Sequence, residues 1–509
     1  MPAPLAEQTQ NAAPLTLARL GRVTLGFTGL VVACTWPQVL RLGDGVVDHF
    51  DPLFSIWRLK RLARQIFHDP SHLFDGNIFY PARGTLANSD ATFLEGALAA
   101  PFIEAGAPAV AIYNILLLGG MIASAVGMYL LARRLTRSSG AAVVAGIVFA
   151  LAPYRFEHLM HLELQWAQWM PLTLWAFHRT LESGRVKDGL LTGFFLLLQF
   201  LSSVYYGLFL ATFLLIVGLP LIVFCRRAPL ARVIGALLAG ALLSAAVVLP
   251  YSQPYRANAE RLGERSREEI ERWSAHPESY FATPSWNVIY GEISGPLGDA
   301  EARLFPGLTT IVLALLALLW GPAVRRTRSR SRQGSLAGAG ILWPLRFIYF
   351  GGLLLALDFS LGANGLVYPW LLEPGSPFRG LRAPARFAIL VNLALALLAA
   401  WGVTHLRNNL QSQAARRWVP ALCAALLVIE YWSAPIPIRH TPDRPLLVYE
   451  WLGKQPPSVV IELPMWFSGA DPQHDAEYEY YSTFHWQRLV NGYSGYYPRP
   501  YLDLMERMR

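Results

Sequence analysis

The segment 109–137 reads AVAIYNILLLGGMIASAVGMYLLARRLTR. Residues 109–132 carry no charge and exceed the roughly 20 residues that a helix needs to cross a bilayer. Arg133, Arg134 and Arg137 follow directly, and basic residues gather on the cytoplasmic side of membrane spans. The segment therefore predicts a transmembrane helix that ends in the cytoplasm.

The same pattern extends over the whole chain of 509 residues, of which 54% are hydrophobic and 15% are charged. The apolar residues are gathered into blocks long enough to cross a bilayer, whereas a soluble protein scatters them. The formal net charge of +9 comes with short arginine clusters between these blocks, which the positive-inside rule explains. A nucleic acid is therefore not expected as a partner.

The basic clusters follow every second apolar block, and the other gaps hold Asp, Glu, Trp, Tyr and Pro. This alternation predicts an all-α polytopic membrane protein with about eleven transmembrane helices and a cytoplasmic N-terminus. The first span, at about residues 20–40, is too long for a signal peptide and is expected to stay uncleaved. The expected cytoplasmic gaps contain Arg133 to Arg137, Arg179 to Lys187, Arg226 to Arg232, Arg325 to Arg332, and Arg407 to Arg417.

The predicted order of spans divides the chain into two domains. Residues 1–434 form the transmembrane domain, with outer loops at 43–108 and 251–303, and residues 435–509 form an extracytoplasmic tail. The tail contains a strand-like run, Ser-Val-Val-Ile-Glu-Leu, at residues 458–463, and is expected to be a small α/β domain. The sequence leaves open whether that domain is complete.

Three carboxylates lie within eight residues of the first membrane exit, at Asp44, Asp48 and Asp51. At headgroup depth a carboxylate can act as general base on an acceptor hydroxyl, while a sugar on a polyprenyl phosphate presents its labile bond at the same level. The alternative is that these acids only solvate the loop and cap an interfacial helix. The amphipathic stretch that follows carries Phe54, Trp57, Leu59 and Leu62.

A second group of candidates lies at 154–166, where His158, His161 and Gln165 are spaced to share one helix face. With Arg155, they are candidates for binding sugar hydroxyls or phosphate, and ordinary interfacial hydrogen bonding is the alternative. Two histidines three residues apart can ligate a metal, but no third ligand follows at a recognised spacing. No metal site or cofactor is predicted, although these residues do not exclude a divalent metal.

The cysteines do not alter this view. Cys34, Cys225 and Cys423 all lie in apolar blocks and show no CxxC spacing. Neither a disulfide framework nor a zinc site is therefore indicated.

Three arginines, Arg379, Arg382 and Arg386, stand at the outer end of the predicted tenth span, where basic residues are disfavoured. Guanidinium groups match the oxygens of a phosphate, so a lipid phosphate would explain them. The alternative is that they reach the headgroups of bulk lipid.

Several short motifs follow one another along most of the chain. They are GDGVVD (43–48), FYPARGTL (79–86), LARRLT (131–136), APYRFEHLMHLELQW (152–166), LFPGL (304–308), FRGLRAPARF (378–387) and NGYSGY (491–496).

In this order the motifs resemble a large group of bacterial membrane glycosyltransferases of the GT-C type. The resemblance implies a GT-C fold, a polyprenyl-phosphate-linked sugar as donor, and a catalytic acid in the first outer loop, at Asp44 or Asp48. GT-C enzymes often carry an adjacent Asp-Glu pair there, whereas this chain has Asp44 followed by Gly45. That departure leaves open which aspartate acts and whether the loop is catalytic.

The expected function is an inverting transfer of a sugar to a saccharide, lipid or protein acceptor outside a bacterial inner (plasma) membrane. Membrane lipids are expected partners. The first alternative is a transporter or flippase of lipid-linked saccharides, for which repeated halves and mid-span charges would be typical. The second is a non-catalytic assembly protein that keeps a GT-C-like fold.

The alternation of charge generates a direct test of topology. We expect reporter fusions to place the loop at 325–332 in the cytoplasm and the tail after Pro435 outside, because an odd number of spans separates the N-terminus from the tail. Fusions just after Arg137 serve as a cytoplasmic control. Finding the loop and the tail on the same side of the membrane would refute the threading.

Overall fold

A computed structural model of the protein describes residues 15–299, 301–319, 342–465 and 473–508. The described chain is mostly helical, and its few strands are two residues long. The predicted cytoplasmic loop at 325–332 lies outside the described residues.

The first half of the chain forms a series of helices. They are α1 (Leu17–Cys34), α2 (Asp51–His68), α3 (Phe93–Glu104), α4 (Ala109–Thr136), α5 (Ser139–Leu151), α6 (Pro153–Glu157), α7 (Leu162–Gln165), α8 (Trp169–Ser183), α9 (Val186–Ser202), α10 (Val204–Cys225) and α11 (Leu230–Tyr251).

The second half begins with short helices of the second outer loop, returns to long helices, and ends in the tail. Its helices are α12 (Gln253–Leu262), α13 (Arg267–Arg272), α14 (Gly291–Ser294), α15 (Leu308–Leu319), α16 (Leu342–Ser360), α17 (Ala388–Asn409), α18 (Gln413–Glu430), α19 (Leu447–Gly453), α20 (Gln473–Ser482) and α21 (Arg499–Arg507).

Within the described residues, six helical stretches are long and apolar enough to cross a membrane. The count of eleven spans stays a prediction. The six stretches are Leu17–Cys34, Ala109–Thr136, Ser139–Glu157, Val204–Cys225, Leu230–Tyr251 and Pro384–Asn409.

The helices differ in how much of their surface is buried. The last stretch, which includes α17, is almost wholly buried and packs against α5, α15, α16 and α18. By contrast, α1 and α11 lie at the rim and expose large apolar side chains such as Leu25 and Leu242. Apolar surface of this extent is unstable in water. The chain is therefore a membrane protein with α17 at its centre.

Two glycines allow membrane helices to approach backbone to backbone. At Gly402 in α17 an added Cβ atom would lie 2.0 Å from the carbonyl oxygen of Leu313 in α15. At Gly193 in α9 it would lie 1.9 Å from the carbonyl oxygen of Gly240 in α11. Small residues are typical of such helix interfaces in membranes. A larger residue at either glycine would force the helices apart.

The tail pairs with the first outer loop. Strand β1 (Gly45–Val46) of the loop is antiparallel to β2 (Arg439–His440), the first strand of the tail. Strand β3 (Val459–Val460) is parallel to β4 (Arg488–Leu489) and forms the centre of the predicted strand at 458–463. The backbone N–H of Tyr80 donates to the Leu489 carbonyl at 3.0 Å.

A second hydrophobic core, separate from that of the helix bundle, is shared by these two regions. The first loop supplies Phe54, Trp57 and Phe79, and the tail supplies Leu489 and Met505. Because each region buries its apolar side chains against the other, the loop and the tail form one packing unit. The predicted domain boundary at residues 434 and 435 stays a prediction.

This shared core predicts a coupled loss of stability. Leu489→Ala removes a fully buried side chain, which costs about 2–5 kcal/mol in well-packed cores. We expect limited proteolysis of the detergent-purified protein to cut both the first loop and the tail faster. The matched control is Leu447→Ala, an exposed position in the same tail. A first loop that keeps full protease resistance in Leu489→Ala would contradict a shared core.

Candidate functional site

Five ionisable side chains from four distant parts of the chain meet at one end of the bundle. We call Asp51, His158, His161, Glu301 and Arg386 the outer cluster. Asp51 is the first residue of α2, the histidines lie between α6 and α7, and Glu301 precedes α15. Arg386 lies in a short 3-10 turn that leads into α17.

His161 is the member that joins the cluster together. Its Nε2 atom lies 3.5 Å from Asp51 Oδ2, 3.9 Å from Glu301 Oε1 and 3.4 Å from Arg386 Nη2. His158 lies behind it, with 5.6 Å between the two ring centroids and 3.7 Å from its Nδ1 to Glu301 Oε2. The cluster therefore brings two carboxylates, two imidazoles and one guanidinium into contact.

Arg386 and Glu301 form a two-point ion pair. Nε of Arg386 donates to Oε2 of Glu301 at 2.7 Å, and Nη2 donates to Oε1. Burial alone would raise the pKa of Glu301, but the adjacent Arg386 outweighs it and holds that pKa well below its usual range. Glu301 is therefore ionised, and the pair is nearly neutral as a whole.

The two histidines carry buried ring nitrogens that have no hydrogen-bond partner within the described residues. These atoms are Nε2 of His158 and Nδ1 of His161. Burial lowers the pKa of His158 to about 3, so this imidazole is neutral at physiological pH. Buried polar atoms in folded proteins normally find a partner. Both nitrogens therefore lack the partner that buried polar atoms normally have.

The three first-loop acids occupy different surroundings. Asp44 has 43% of its side chain exposed and lies 3.2 Å from Arg41 and 3.6 Å from His440. Asp48 accepts from the backbone N–H of His49 at 2.7 Å, and burial raises the pKa of its carboxyl group. Of the three, only Asp51 makes contacts within the outer cluster.

The tail also reaches this site. The hydroxyl of Tyr493, in the NGYSGY motif, lies 3.5 Å from Asp51 Oδ1, and its ring packs edge-on against Phe54. The backbone N–H of Tyr493 donates to Glu479 Oε2 at 2.9 Å. Sequence reasoning singled out neither Tyr493 nor Glu301 as a site residue. Each lies inside or beside a motif, which was the available signal.

Arg155 and Gln165 stabilise the turn that carries His158 and His161 through hydrogen bonds to backbone carbonyls. The guanidinium of Arg155 donates to the carbonyls of Leu164 and Gln165 at 2.7 and 2.8 Å. The side-chain amide of Gln165 donates to the carbonyls of Arg155 and His158 at 3.0 and 2.7 Å. Both side chains are fully buried, and these donors are occupied by backbone.

The prediction that His158, His161 and Gln165 share one helix face is wrong. Helix α6 ends at Glu157 and α7 begins at Leu162, so the histidines lie in the turn between them. The physical reason is the set of hydrogen bonds just described, by which Arg155 and Gln165 hold the two short helices against each other. The turn nevertheless keeps both rings adjacent.

The three outer arginines divide into different roles. Arg379 is bound to Glu264 at 3.2 Å, and Arg386 is bound to Glu301. Arg382 forms no ion pair with any residue that the structure describes, and its guanidinium lies 5.0 Å from the centre of the Trp273 ring. Arg382 is therefore the arginine with charge available for an anionic ligand.

No group of three or more His, Cys, Asp or Glu side chains in the described parts of the chain is arranged to hold a metal ion. The outer cluster offers instead carboxylates and the neutral imidazole of His158, and Arg382 supplies a cation that has no ion pair within the described residues. These groups can accept a proton, bind hydroxyls and bind a phosphate.

The chain belongs to the family described as "Domain of unknown function (DUF6311)", which matches residues 68–432. This range includes both histidines, Glu301 and all three outer arginines. Asp51 and the tail lie outside it. No protein in the curated set matches this chain.

Two solved structures of one other protein share the fold. Arabinofuranosyltransferase AftD from Mycobacteria aligns with a TM-score of 0.58 and 15% identity over 89% of this chain and 30% of AftD. A mutant form of AftD gives a TM-score of 0.56 and 15% identity over 89% of this chain and 31% of its own. An oligosaccharyltransferase from Archaeoglobus fulgidus gives 0.44 and 16%, over 91% of this chain and 59% of its own.

The likeness to AftD supports a GT-C-like fold, as the sequence resemblance implies. This chain spans less than a third of the length of AftD. At 15% identity the likeness concerns the fold alone, and activity has to be argued from the outer cluster.

Proposed function

We propose that this protein is a membrane glycosyltransferase that moves a sugar from a polyprenyl-phosphate donor to an extracytoplasmic acceptor, with inversion. The observation that carries the proposal is the position of Asp51, whose carboxylate lies 3.5 Å from His161 in the outer cluster. The fold likeness to an arabinofuranosyltransferase and the motif resemblance are both consistent with it.

The proposed transfer requires a base for the acceptor hydroxyl and a cation for the donor phosphate. The acceptor hydroxyl oxygen attacks the anomeric carbon from the face opposite the phosphate, which inverts that carbon. The bond from the carbon to the phosphate oxygen breaks, and the polyprenyl phosphate leaves with the electron pair. A carboxylate takes the hydroxyl proton during the attack. Phosphate is a good leaving group, so no general acid is required.

Asp51 meets the requirements of the base better than the two aspartates predicted from the sequence. It adjoins His161, whose ring also lies within 4 Å of Glu301 and Arg386. Asp44 is bound to Arg41 and His440 at the surface, where water would compete with an acceptor. Asp48 lies three residues away with 23% of its side chain exposed and is the second candidate.

Arg382 is the proposed ligand of the donor phosphate. Its positive charge is not cancelled by a described carboxylate, whereas Arg386 is neutralised by Glu301. A guanidinium group can hold two phosphate oxygens at once. Arg386 then acts mainly by fixing Glu301 and orienting His161.

We place the reaction at the outer face of a bacterial inner membrane, where a lipid-linked donor and a saccharide, lipid or protein acceptor can meet. A non-catalytic protein of the same fold would need the outer cluster only for stability. A variant that keeps the fold but removes the base separates these two functions.

We expect Asp51→Asn to lower glycosyl transfer by about 10²–10⁴-fold, which is typical for loss of a positioned base. The measurement is transfer of radiolabelled sugar from polyprenyl-phosphate donors by the purified protein. Asn has nearly the same shape as Asp, so thermal unfolding should not change. Asp44→Asn is the matched control and should retain parental activity, because its side chain lies at the surface.

Two outcomes would refute this assignment. If Asp48→Asn abolishes transfer and Asp51→Asn does not, the base is Asp48. If all three first-loop variants transfer sugar as well as the parent, the active site lies elsewhere or the protein is not an enzyme.

A second prediction concerns the donor phosphate. Arg382→Gln should raise the KM for the lipid-linked donor by about 10- to 150-fold, since a hydrogen bond to a charged group contributes roughly 1.5–3 kcal/mol. The KM for the acceptor should change little. Arg379→Gln is the control, because Arg379 is already bound to Glu264. Equal donor KM values in both variants would contradict the role given to Arg382.

A further inference from the structure

The second outer loop carries exposed apolar side chains around the short helix α14. We call residues 286–297 the α14 segment. Val288 and Ile293 are 65% and 81% exposed, and Ile289 and Leu297 are exposed as well. Glu292 is the one charged residue in the segment. Grouped apolar side chains at a surface mark a contact with another phase or molecule.

The segment is held in place by hydrogen bonds to the end of α18. The side-chain amide of Asn287 donates to the Glu430 carbonyl at 3.0 Å, and the Tyr290 hydroxyl donates to Glu430 Oε1 at 3.1 Å. The backbone N–H of Val288 donates to the Trp432 carbonyl at 3.0 Å. These contacts occupy polar groups of the segment, while its large apolar side chains stay exposed.

Helices α15 and α18 expose rows of apolar side chains that lead to the same place. The rows are Leu308, Val312, Leu315 and Leu319 on α15, and Leu422, Leu426 and Ile429 on α18. Residues at these spacings share one helix face, and in a membrane protein an exposed apolar face contacts lipid. The α14 segment adjoins the end of both rows, because Glu430 also accepts from the backbone N–H of Thr309 at 3.0 Å.

Aromatic side chains accompany this junction. Trp286 and Tyr290 of the segment and Trp432 after α18 are half-buried. Trp and Tyr are enriched where a membrane meets water, since their rings are apolar and their N–H or O–H groups are polar. The junction therefore has the composition of a membrane interface.

Arg303 joins the α14 segment to the outer cluster. Its Nε donates to the Gly295 carbonyl at 3.1 Å, and its Nη1 donates to Glu157 Oε1 at 2.9 Å. Glu157 directly precedes His158, and Glu301 follows the segment by four residues. The position of the segment therefore bears on the position of the cluster.

From the continuity of these apolar surfaces we infer that the α14 segment inserts into the bilayer leaflet next to the outer cluster and holds the cluster at headgroup depth. Interfacial segments bury apolar side chains about 5–10 Å into the boundary between headgroups and acyl chains. Insertion does not require sugar transfer, so it can hold or fail independently of the proposed function.

The test places a fluorescent probe on the full chain in lipid vesicles. Ile293→Cys is labelled with nitrobenzoxadiazole, and the labelled parent, with its three native cysteines, supplies the background. A quencher attached to lipid near the headgroup should remove most of the fluorescence, and iodide in the water should remove little. Lys454→Cys, an exposed charged position in the tail, is the control and should show the reverse.

The double variant Val288→Asp with Ile293→Asp tests what holds the segment in the bilayer. Both side chains are exposed, so thermal unfolding in detergent should not change. Carboxylates are costly in a bilayer, so the segment should move into water. A probe at Leu297→Cys should then lose quenching by the labelled lipid and gain quenching by iodide.

Three results would overturn the inference. If iodide quenches the probe at residue 293 as strongly as at residue 454, the segment lies in water. If neither quencher reaches residue 293, a protein surface covers the segment in place of lipid. If the double variant leaves lipid quenching at residue 297 unchanged, Val288 and Ile293 do not hold the segment in the bilayer.

Discussion

The outer cluster depends on the buried ion pair between Arg386 and Glu301. Removing two charges from water costs several kcal/mol for each ion, and the cost is recovered only when both partners are held in good geometry. The pair therefore ties the loop before α15 to the start of α17, the most buried helix of the bundle. His161 lies against this pair, and Asp51 lies against His161.

The site is assembled from segments that are far apart in the sequence. Asp51 comes from the first loop, the histidines from a turn after α5, and Tyr493 from the tail. The tail can reach Asp51 because its apolar residues share a core with the first loop. This explains why the motifs of the chain occur in loops and helix ends, with long apolar helices between them.

The sequence predicted the helical membrane architecture because apolar blocks and arginine clusters are local signals. The structure brings His158, His161 and Arg386, which the sequence singled out, together with Asp51 and Glu301. The contact between Asp51 and His161 could not be predicted, because spacing along a loop does not show which carboxylate faces the bundle. Glu301 was missed because its partner Arg386 is 85 residues away. The continuous helix predicted through His158 and His161 does not form. The hydrogen bonds of Arg155 and Gln165 that prevent it are tertiary contacts, which local residue spacing does not show.

The different roles proposed for Arg382 and Arg386 rest on charge. A sugar phosphodiester carries one negative charge, whereas the phosphate monoester that leaves carries more as the glycosidic bond breaks. A cation whose charge is already cancelled, as that of Arg386 is by Glu301, responds weakly to this increase. Arg382, with no described carboxylate partner, would bind the leaving phosphate more tightly than the donor. Only such a difference in binding accelerates the reaction, so in the proposed mechanism the unpaired arginine matters more for rate.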